Sequence, residues 1–525
     1  MRLSYKQLSR KHPEYVATRE VWDDIDALYS GGHKLLRNDV VLSRLLPRWQ
    51  GETIASWRAR KKFAHYEPHL AAVIDHIVAQ LKSDPIVVAD EMATAGAPLD
   101  PLYAEFFEDC TPEGAECLTF ADFLAEQVRL ALQFRCVWTL VDLPVPTKSY
   151  TTELEQREAG ALEPFAVSVD PRSVYDWRCT KAGAVTWAVV YDEVCERLSP
   201  EDDRDMVTEA FTVYTDRQWL RFEFKHKHGE NVKDENEVVA PVDGGPHSFG
   251  RCPLIRFDLT DRLWLGDRAE SLAREHFNRL NGSSEFGRKL SYPQLYEFVA
   301  PSLPGIDQPI SEIQEDAGRA TNQARGPGYV QVRGADDRAA YVSPDAAAYK
   351  QISDEVDKCR EAIYRVTYQM ALSQDNKGAL IRRSAESKGI DNAATTVILV
   401  AIGTLIRSHA SEVLKAISAG IGDPQKHDFE VAGAAKFDAA SSDQFIDRAA
   451  VVKGITVRSA KFNSLLDAEI ARCTLDAGIA PDDMATIKKE LDAAYTAEDF
   501  TMQPAMPGPS GGSVNANGGD SGEAL

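Results

Sequence analysis

From Tyr349 the apolar residues recur at alternating steps of three and four: Tyr349, Ile352, Val356, Cys359, Ile363, Val366 and Met370. Sustained over about three heptads, this makes a narrow stripe that must be covered by a second helix. The start is also written in the sequence, with Ser343 able to cap, Pro344 suited to the first helical position and Asp345 favouring the positive end of the dipole. An ordinary amphipathic core helix would carry the same spacing. A second helical pattern lies upstream, with Leu265, Ala269, Leu272, His276 and Leu280 on one face, Gly282 and Gly287 near its end, and Pro293 closing it. Between the two, residues 293–343 hold Pro, Gly and short strand-like pieces at Tyr329–Val332 and Ala340–Val342. Two helices flanking one short interrupted segment suit a channel wall better than an enzyme cleft.

The rest of the chain divides by its periodicity. Residues 15–84 read as helices, with Trp22, Ile25 and Leu28 on one face and Leu70, Val73, Ile74, Ile77, Val78 and Leu81 on another, closed by Asp84-Pro85. Another helix is predicted over 119–133. From Cys136 to about 260 the period becomes two: Val185, Trp187, Val189 and Tyr191 alternate with Thr186, Ala188 and Val190, and Leu220, Phe222 and Phe224 with Arg221 and Glu223. Turns are placed at Asp170-Pro171, Gly244-Gly245-Pro246 and Gly250. A long helix is predicted from Ala385 to Ala419, stopping at Gly420, apolar all round from Val397 to Ile406 and able to kink at Gly403. Short helices fill 443–496. The segment from Gln503, rich in Gly, Pro, Ser and Asn, reads as disordered. The fold class is therefore α+β, mainly helical, with an antiparallel β region.

Composition narrows the function. At 525 residues, 44% hydrophobic and 27% charged, the chain can bury several cores. A formal charge of −22 and a pI near 5.0 argue against wrapping nucleic acid on one broad basic face. The eight cysteines include no CxxC pair, which favours reduced core thiols over disulfides or zinc. The first residues lack the apolar core of a signal peptide. The apolar run Val397–Ile406 is half the ~20 residues of a membrane span, so neither an export signal nor an anchor is expected.

Catalytic constellations are not found. The sequence has no GxxxxGK[ST], no GxGxxG after a strand and no GxSxG at a strand-to-helix elbow. In His65-Tyr66-Glu67-Pro68-His69, Pro68 interrupts the turn that an HExxH zinc helix requires, so no metal or cofactor is expected. Glu201-Asp202-Asp203 and Asp482-Asp483 read as solvated faces and helix N-terminal charges. One segment runs against the overall acidity: Lys377, Arg382, Arg383 and Lys388 against Glu386 give a local charge of +3 between Asn376 and Ile390. A few such cations can touch phosphates without reading bases. An exposed linker with incidental charge would look the same.

The order of these segments resembles the portal, or head-to-tail connector, proteins of tailed bacteriophages, over roughly residues 15–470. Arg58-Ala59-Arg60-Lys61-Lys62-Phe63-Ala64-His65-Tyr66-Glu67-Pro68 is similar to the family's basic Tyr-x-Pro element, which an apolar helix follows. Val137–Asp142 resembles the strand ending in Val-Asp, and Pro164-Phe165 through Val174–Arg178 the next strand with its Trp-Arg. Gly250-Arg251-Cys252-Pro253-Leu254 is similar to the Gly-x-x-Pro turn before the first stem helix, and Ala385-Glu386-Ser387 to the start of the wing helix. The chain departs from the pattern at Phe134-Arg135-Cys136, where a glycine is expected before the strand.

The resemblance implies a virion protein at the portal vertex of the capsid, assembled in the host cytoplasm as a homo-oligomeric ring, usually of twelve subunits, with double-stranded DNA passing through its centre. Residues 1–264 would form the wing, 265–292 and 344–372 the two stem helices, and 293–343 the clip. Residues 373–384 would form the tunnel loop, 385–440 the wing helix and its return, and 441–500 the crown. Partners would be terminase, a head–tail adaptor, capsid and scaffolding proteins, with no membrane and no enzymatic activity. Ile352, Val356, Cys359, Ile363 and Val366 would pack neighbouring subunits. Lys377, Arg382, Arg383 and Lys388 would touch DNA that slides past an acidic wall. In the clip, Arg319, Arg325, Tyr329 and Arg333 would contact partners, because Arg and Tyr are enriched at interface hot spots. A capsid or tail component, and a hydrolase built on the 136–260 sheet, are the competing readings.

Overall fold

The N-terminal helices begin where the sequence supplies caps. Asn38 accepts hydrogen bonds from the amides of Val40 and Val41, Thr53 from Ser56, Asp100 from Leu102 and Thr119 from Asp122, each satisfying donors that a helix start leaves free. In the computed structural model these caps open helices Asp39–Leu45, Ile54–Lys62, Pro101–Glu108 and Phe120–Phe134, which join Pro13–Ser30 and His69–Leu81. The structure describes residues 1–90, 100–112, 114–144, 152–158, 162–197, 204–230, 234–291, 294–298, 338–342, 346–367, 385–422 and 427–435, with a few isolated positions besides. The architecture below belongs to the unit Met1–Phe437. The helices predicted over 443–496 and the tail from Gln503 lie outside the described residues, except for isolated helical positions.

The predicted apolar faces meet in one core. Trp22, Ile25, Leu28, Leu70, Val73, Ile74 and Ile77 are buried there with Phe123, Leu124, Val128, Leu132 and Trp138. This core also covers both faces of the three-stranded antiparallel sheet, ordered Leu254–Asp258, Cys136–Asp142, Phe165–Val169, so that the consecutive Cys136, Val137 and Trp138 are all buried in it. A five-stranded antiparallel sheet follows, ordered Asp243–Pro246, Gln218–Lys227, Met206–Tyr214, Val185–Glu196, Val174–Cys179. Its Leu220 and Phe222 alternate inward as the sequence predicts, joining Leu8, Phe211 and Val213 in a second, smaller core.

Strand Val185–Glu196 departs from strict alternation. Val185, Ala188 and Val189 are buried, whereas Trp187 and Tyr191 are partly exposed. The strand is sandwiched, with Val185 and Ala188 in the main core and Val189 in the smaller one. Its pairing with Val174–Cys179 also contains two register shifts, and each shift re-aims the side chains that follow.

The long helix runs Ala385–Ile421. Val397 is 70% exposed and Val400 38%, so the central apolar run is not buried on every side. Ile398, Leu399, Ile402, Ile406, Val413, Leu414 and Ile417 form the inward face. Gly403 and Gly420 serve as sites of close approach, and the helix ends at Ile421, one residue past Gly420. A Cβ at Gly403 would strike the carbonyl oxygen of Ala434, and one at Gly420 would strike the ring of Phe249. Within this helix His409 is buried, its Nε2 3.0 Å from the Thr139 hydroxyl, which donates to Gln127 at 3.1 Å. Burial pushes the His409 imidazole down to about 4, against the weaker pull of Glu412.

The missing glycine before the Val-Asp strand has a structural counterpart. Arg135 adopts φ 70°, the backbone region that favours glycine. Its backbone carbonyl accepts from Leu259 N at 2.8 Å, and its guanidinium lies 3.2 Å from Asp261, 3.5 Å from Glu14 and 3.8 Å from Asp258. Beside it Arg256 grips Glu14 through two bonds of 2.6 and 3.2 Å and lies over the rings of Trp177 and Trp138. Burial raises the Glu14 carboxyl, but the bond to Arg256 and the charges of Arg256 and Arg135 outweigh it and leave the group below its ordinary value.

Two outcomes are expected from these contacts. Arg135→Ala keeps the backbone strain and loses the ion pairs, whereas Arg135→Gly relieves the strain, so the glycine variant should be the more stable by roughly 1 kcal/mol in urea unfolding. Equal midpoints for the two would remove strain from the account. Because folding holds His409 neutral, the unfolded chain takes up its proton first as pH falls. Stability should therefore drop between about pH 6.5 and 4, by on the order of 2–3 kcal/mol from this group, and His409→Gln should flatten that part of the profile.

Candidate functional site

The two helices singled out in the sequence are Leu265–Ser291 and Ala346–Val366. They pack side by side with opposite chain directions. Phe286 stacks on Tyr349 with ring centroids 6.3 Å apart, and Arg279 pairs with Glu355, so residue numbers rise along one helix as they fall along the other. The same register continues beyond the helices into a two-stranded antiparallel ribbon, Gln294–Phe298 with Arg338–Val342, where Gln294 faces Val342 and Phe298 faces Arg338. Helix, strand, strand and helix thus follow in one antiparallel order among the described residues. Ser343, Pro344 and Asp345, predicted to start the second helix, lie outside the described residues, as does the predicted strand Tyr329–Val332.

The apolar stripe finds its covering helix within the chain. Val356 and Ile363 are buried and Ile352, Cys359 and Val366 half-buried, with Leu265–Ser291 lying along them. Ile352, Cys359 and Val366, expected with them to pack a neighbouring subunit, keep part of their surface open. The spacing requires a partner helix but does not say from which chain, and the nearer helix, one hairpin away, supplies it.

Leu265–Ser291 is in turn fixed to the surrounding helices. Leu265, Ala269, Ala273 and Phe277 are buried in the main core. Trp264 donates from its indole to the carbonyl of Gln133 at 2.7 Å, and Gly266 lies so close that a Cβ there would meet the same oxygen at 2.5 Å. Asn278 donates to Leu45 O, and Asn281 binds the backbone of His65 in both directions, accepting from its N–H and donating to its C=O at 3.0 Å each. Gly282 leaves room for the ring of Trp49, and Arg288 covers Phe63 at 4.5 Å. The basic element Arg58–Pro68 is thus partly inside the fold: Arg60 is buried against Glu52, in two bonds of 2.8 and 3.0 Å, and stacks on Trp49.

Charge is balanced along the hairpin. Its two helices carry nine basic and eight acidic residues, so the overall acidity predicted to line a channel wall is not concentrated on them. Of the residues expected to touch DNA, Lys377, Arg382 and Arg383 lie outside the described residues, and Lys388 falls within the backbone span of the long helix. The clip residues Arg319, Arg325, Tyr329 and Arg333 also lie outside them.

One grouping was not joined by the sequence. His276, on the inward face of the first helix, lies with Glu67 and His69 so that one ligating atom from each falls within 4.8 Å of the others. Glu67 Oε2 is 3.0 Å from His69 Nε2 and 3.8 Å from His276 Nε2, and His69 Nδ1 is 3.2 Å from the Tyr364 hydroxyl. Burial, then the neighbouring His69, pushes His276 down to about 4; burial also lowers His69, against Glu67. Both imidazoles are therefore neutral at pH 7. A histidine on an otherwise apolar helix face was the visible signal.

No family model and no curated protein matches this sequence. Among solved structures, a HK97-family phage portal protein from Corynebacterium diphtheriae is similar at 10% identity and a TM-score of 0.32, over 73% of this chain and 96% of that one. Over most of its length the chain is thus similar to a portal protein. The neck of an empty gene transfer agent particle, computed with C6 symmetry, matches at 12% identity and a TM-score of 0.38, over 80% of this chain and 95% of that one. The neck of the native particle, computed with C12 symmetry, matches at 12% and 0.35, over 85% and 98%. With these TM-scores below 0.5, function rests on the residues and their geometry.

Because Val356 is buried in the hairpin, Val356→Asp should cost about 3 kcal/mol or more and loosen the second helix, read as loss of amide protection over 346–366. The exposed Lys358→Ala should change stability by no more than about 0.5 kcal/mol. Wild-type protection in Val356→Asp would mean that the stripe does not pack as described.

Proposed function

We propose that this chain is the subunit of a portal-type ring that carries double-stranded DNA through a central channel at one vertex of a phage or phage-like capsid. The observation that carries the reading is the antiparallel pairing of two long helices that are separated in sequence by an antiparallel β-ribbon, in a chain that also has a mixed helical and β body. That order of elements supports the stem-and-clip reading that the sequence resemblance implies. A closed ring repeats one heterologous interface around an axis. With Val356 and Ile363 covered within the chain, subunits would meet through the outer faces of the hairpin and the partly exposed Ile352, Cys359 and Val366. Twelve copies would close the ring.

The local charge pattern fits a conduit. A polyanion sliding past balanced charges meets no long run of cations to hold it, and counter-ions screen the remainder within about 8–10 Å at physiological salt. The segment 373–384, with Lys377, Arg382 and Arg383, and Lys388 just beyond it, would make brief phosphate contacts independent of sequence. The clip, 293–343, would dock terminase and then a head–tail adaptor through Arg319, Arg325, Tyr329 and Arg333, while the body would meet capsid and scaffolding proteins. The chain would have no catalysis of its own, leaving nucleotide-driven work to its partner.

Negative-stain imaging of the purified protein should show rings with a central hole. A monomer under every assembly condition would overturn the proposal. Reversing charge at Lys377, Arg382 and Arg383 together should leave those rings intact and lower the nuclease-resistant DNA per particle. Normal packaging by that triple variant would remove the loop from the mechanism.

A further inference from the structure

We infer that Glu67, His69 and His276 form a binding site for a divalent cation, best suited to Zn2+, that ties the start of helix His69–Leu81 to the first helix of the hairpin. The donor set is two imidazole nitrogens and one carboxylate oxygen, which zinc accepts. Bonds of about 2.0–2.2 Å in tetrahedral geometry place ligand atoms roughly 3.3 Å apart. The separations of 3.0 and 3.8 Å from Glu67 Oε2 to the two Nε2 atoms bracket that value, and the whole set lies within 4.8 Å. A small inward adjustment closes the triangle.

A second observation points to a missing ligand. His276 is 1% exposed, and its Nε2, aimed into this cluster, has no hydrogen-bond partner. An unpaired buried polar atom is costly, and a cation between the three groups would satisfy it. The outer contacts also suit metal binding: with His69 Nε2 on the ion, Nδ1–H would donate to the Tyr364 hydroxyl, now 3.2 Å away, and fix the tautomer. Arg360, the nearby cation that acts on both histidines, is itself engaged with Asp357. Glu67 is about half exposed, leaving a path for the ion and a fourth position for water. Because Tyr364 lies on the second helix of the hairpin, one ion would connect all three helices. Pro68 rules out the HExxH arrangement, yet here it lets the chain turn so that Glu67 and His69, two residues apart, face the same partner.

The test uses the full chain, stripped with a chelator and desalted. Titration with Zn2+ alone should show one equivalent bound per chain, with a rise in the unfolding midpoint that excess EDTA reverses. Co2+ in the same site should give the intense visible bands of a tetrahedral complex. Tyr364→Phe should weaken Zn2+ binding by about 10–100-fold, and His276→Gln and Glu67→Gln by at least as much. Glu67 is a surface side chain, so Glu67→Gln guards against a variant that fails to fold. No binding at micromolar Zn2+, or binding in Glu67→Gln equal to wild type, would overturn the assignment.

Discussion

The structure depends on the burial of one helix along two different partners. Near its N-terminus Leu265–Ser291 places Leu265, Ala269, Ala273 and Phe277 in the main core, and further along it covers the stripe of Ala346–Val366. Burying such side chains contributes on the order of 1.5–3 kcal/mol each for the larger ones, more than any surface ion pair nearby. The polar contacts then select an arrangement that the apolar ones stabilise. Asn281 reads the backbone of His65 from both sides, so that only one axial position of the helix satisfies every donor and acceptor.

A comparable division holds at the junction of helix and sheet. Arg256 is nearly buried against two indoles and neutralised by Glu14, with Asp258 close by. Removing one member would leave a buried charge uncompensated, which costs more than the intact pair contributes. This explains how the fold retains an arginine, Arg135, in a backbone conformation suited to glycine: its charge completes the cluster, and the strain is offset locally.

Local periodicity made much of the fold legible, and non-local contact explains the remainder. The stripe from Tyr349 required a helix and a partner, because spacing reports one face of one element. Which chain provides the partner is a fact of tertiary distance. Gly403 and Gly420 read as a kink and a stop because sequence shows the absence of a side chain, while the approach of Ala434 and Phe249 is set by segments far along the chain. The alternation at Val185–Tyr191 failed where a strand is covered on both faces. The departure at Arg135 was visible as a missing glycine, though its compensation was not. His276 stood out on an apolar face, but its neighbours Glu67 and His69 are some two hundred positions away.

The close crossing of Gly266 and Gln133 bears on precision. A helix of 27 residues at about 1.5 Å each is a lever roughly 40 Å long, so a few degrees of tilt at its base shifts the far tip by several ångströms. Backbone resting on backbone, with no side chain between, is the least compressible bearing a protein can build. Every copy made from this sequence would therefore hold its tip at the same angle, a tolerance set at the fulcrum.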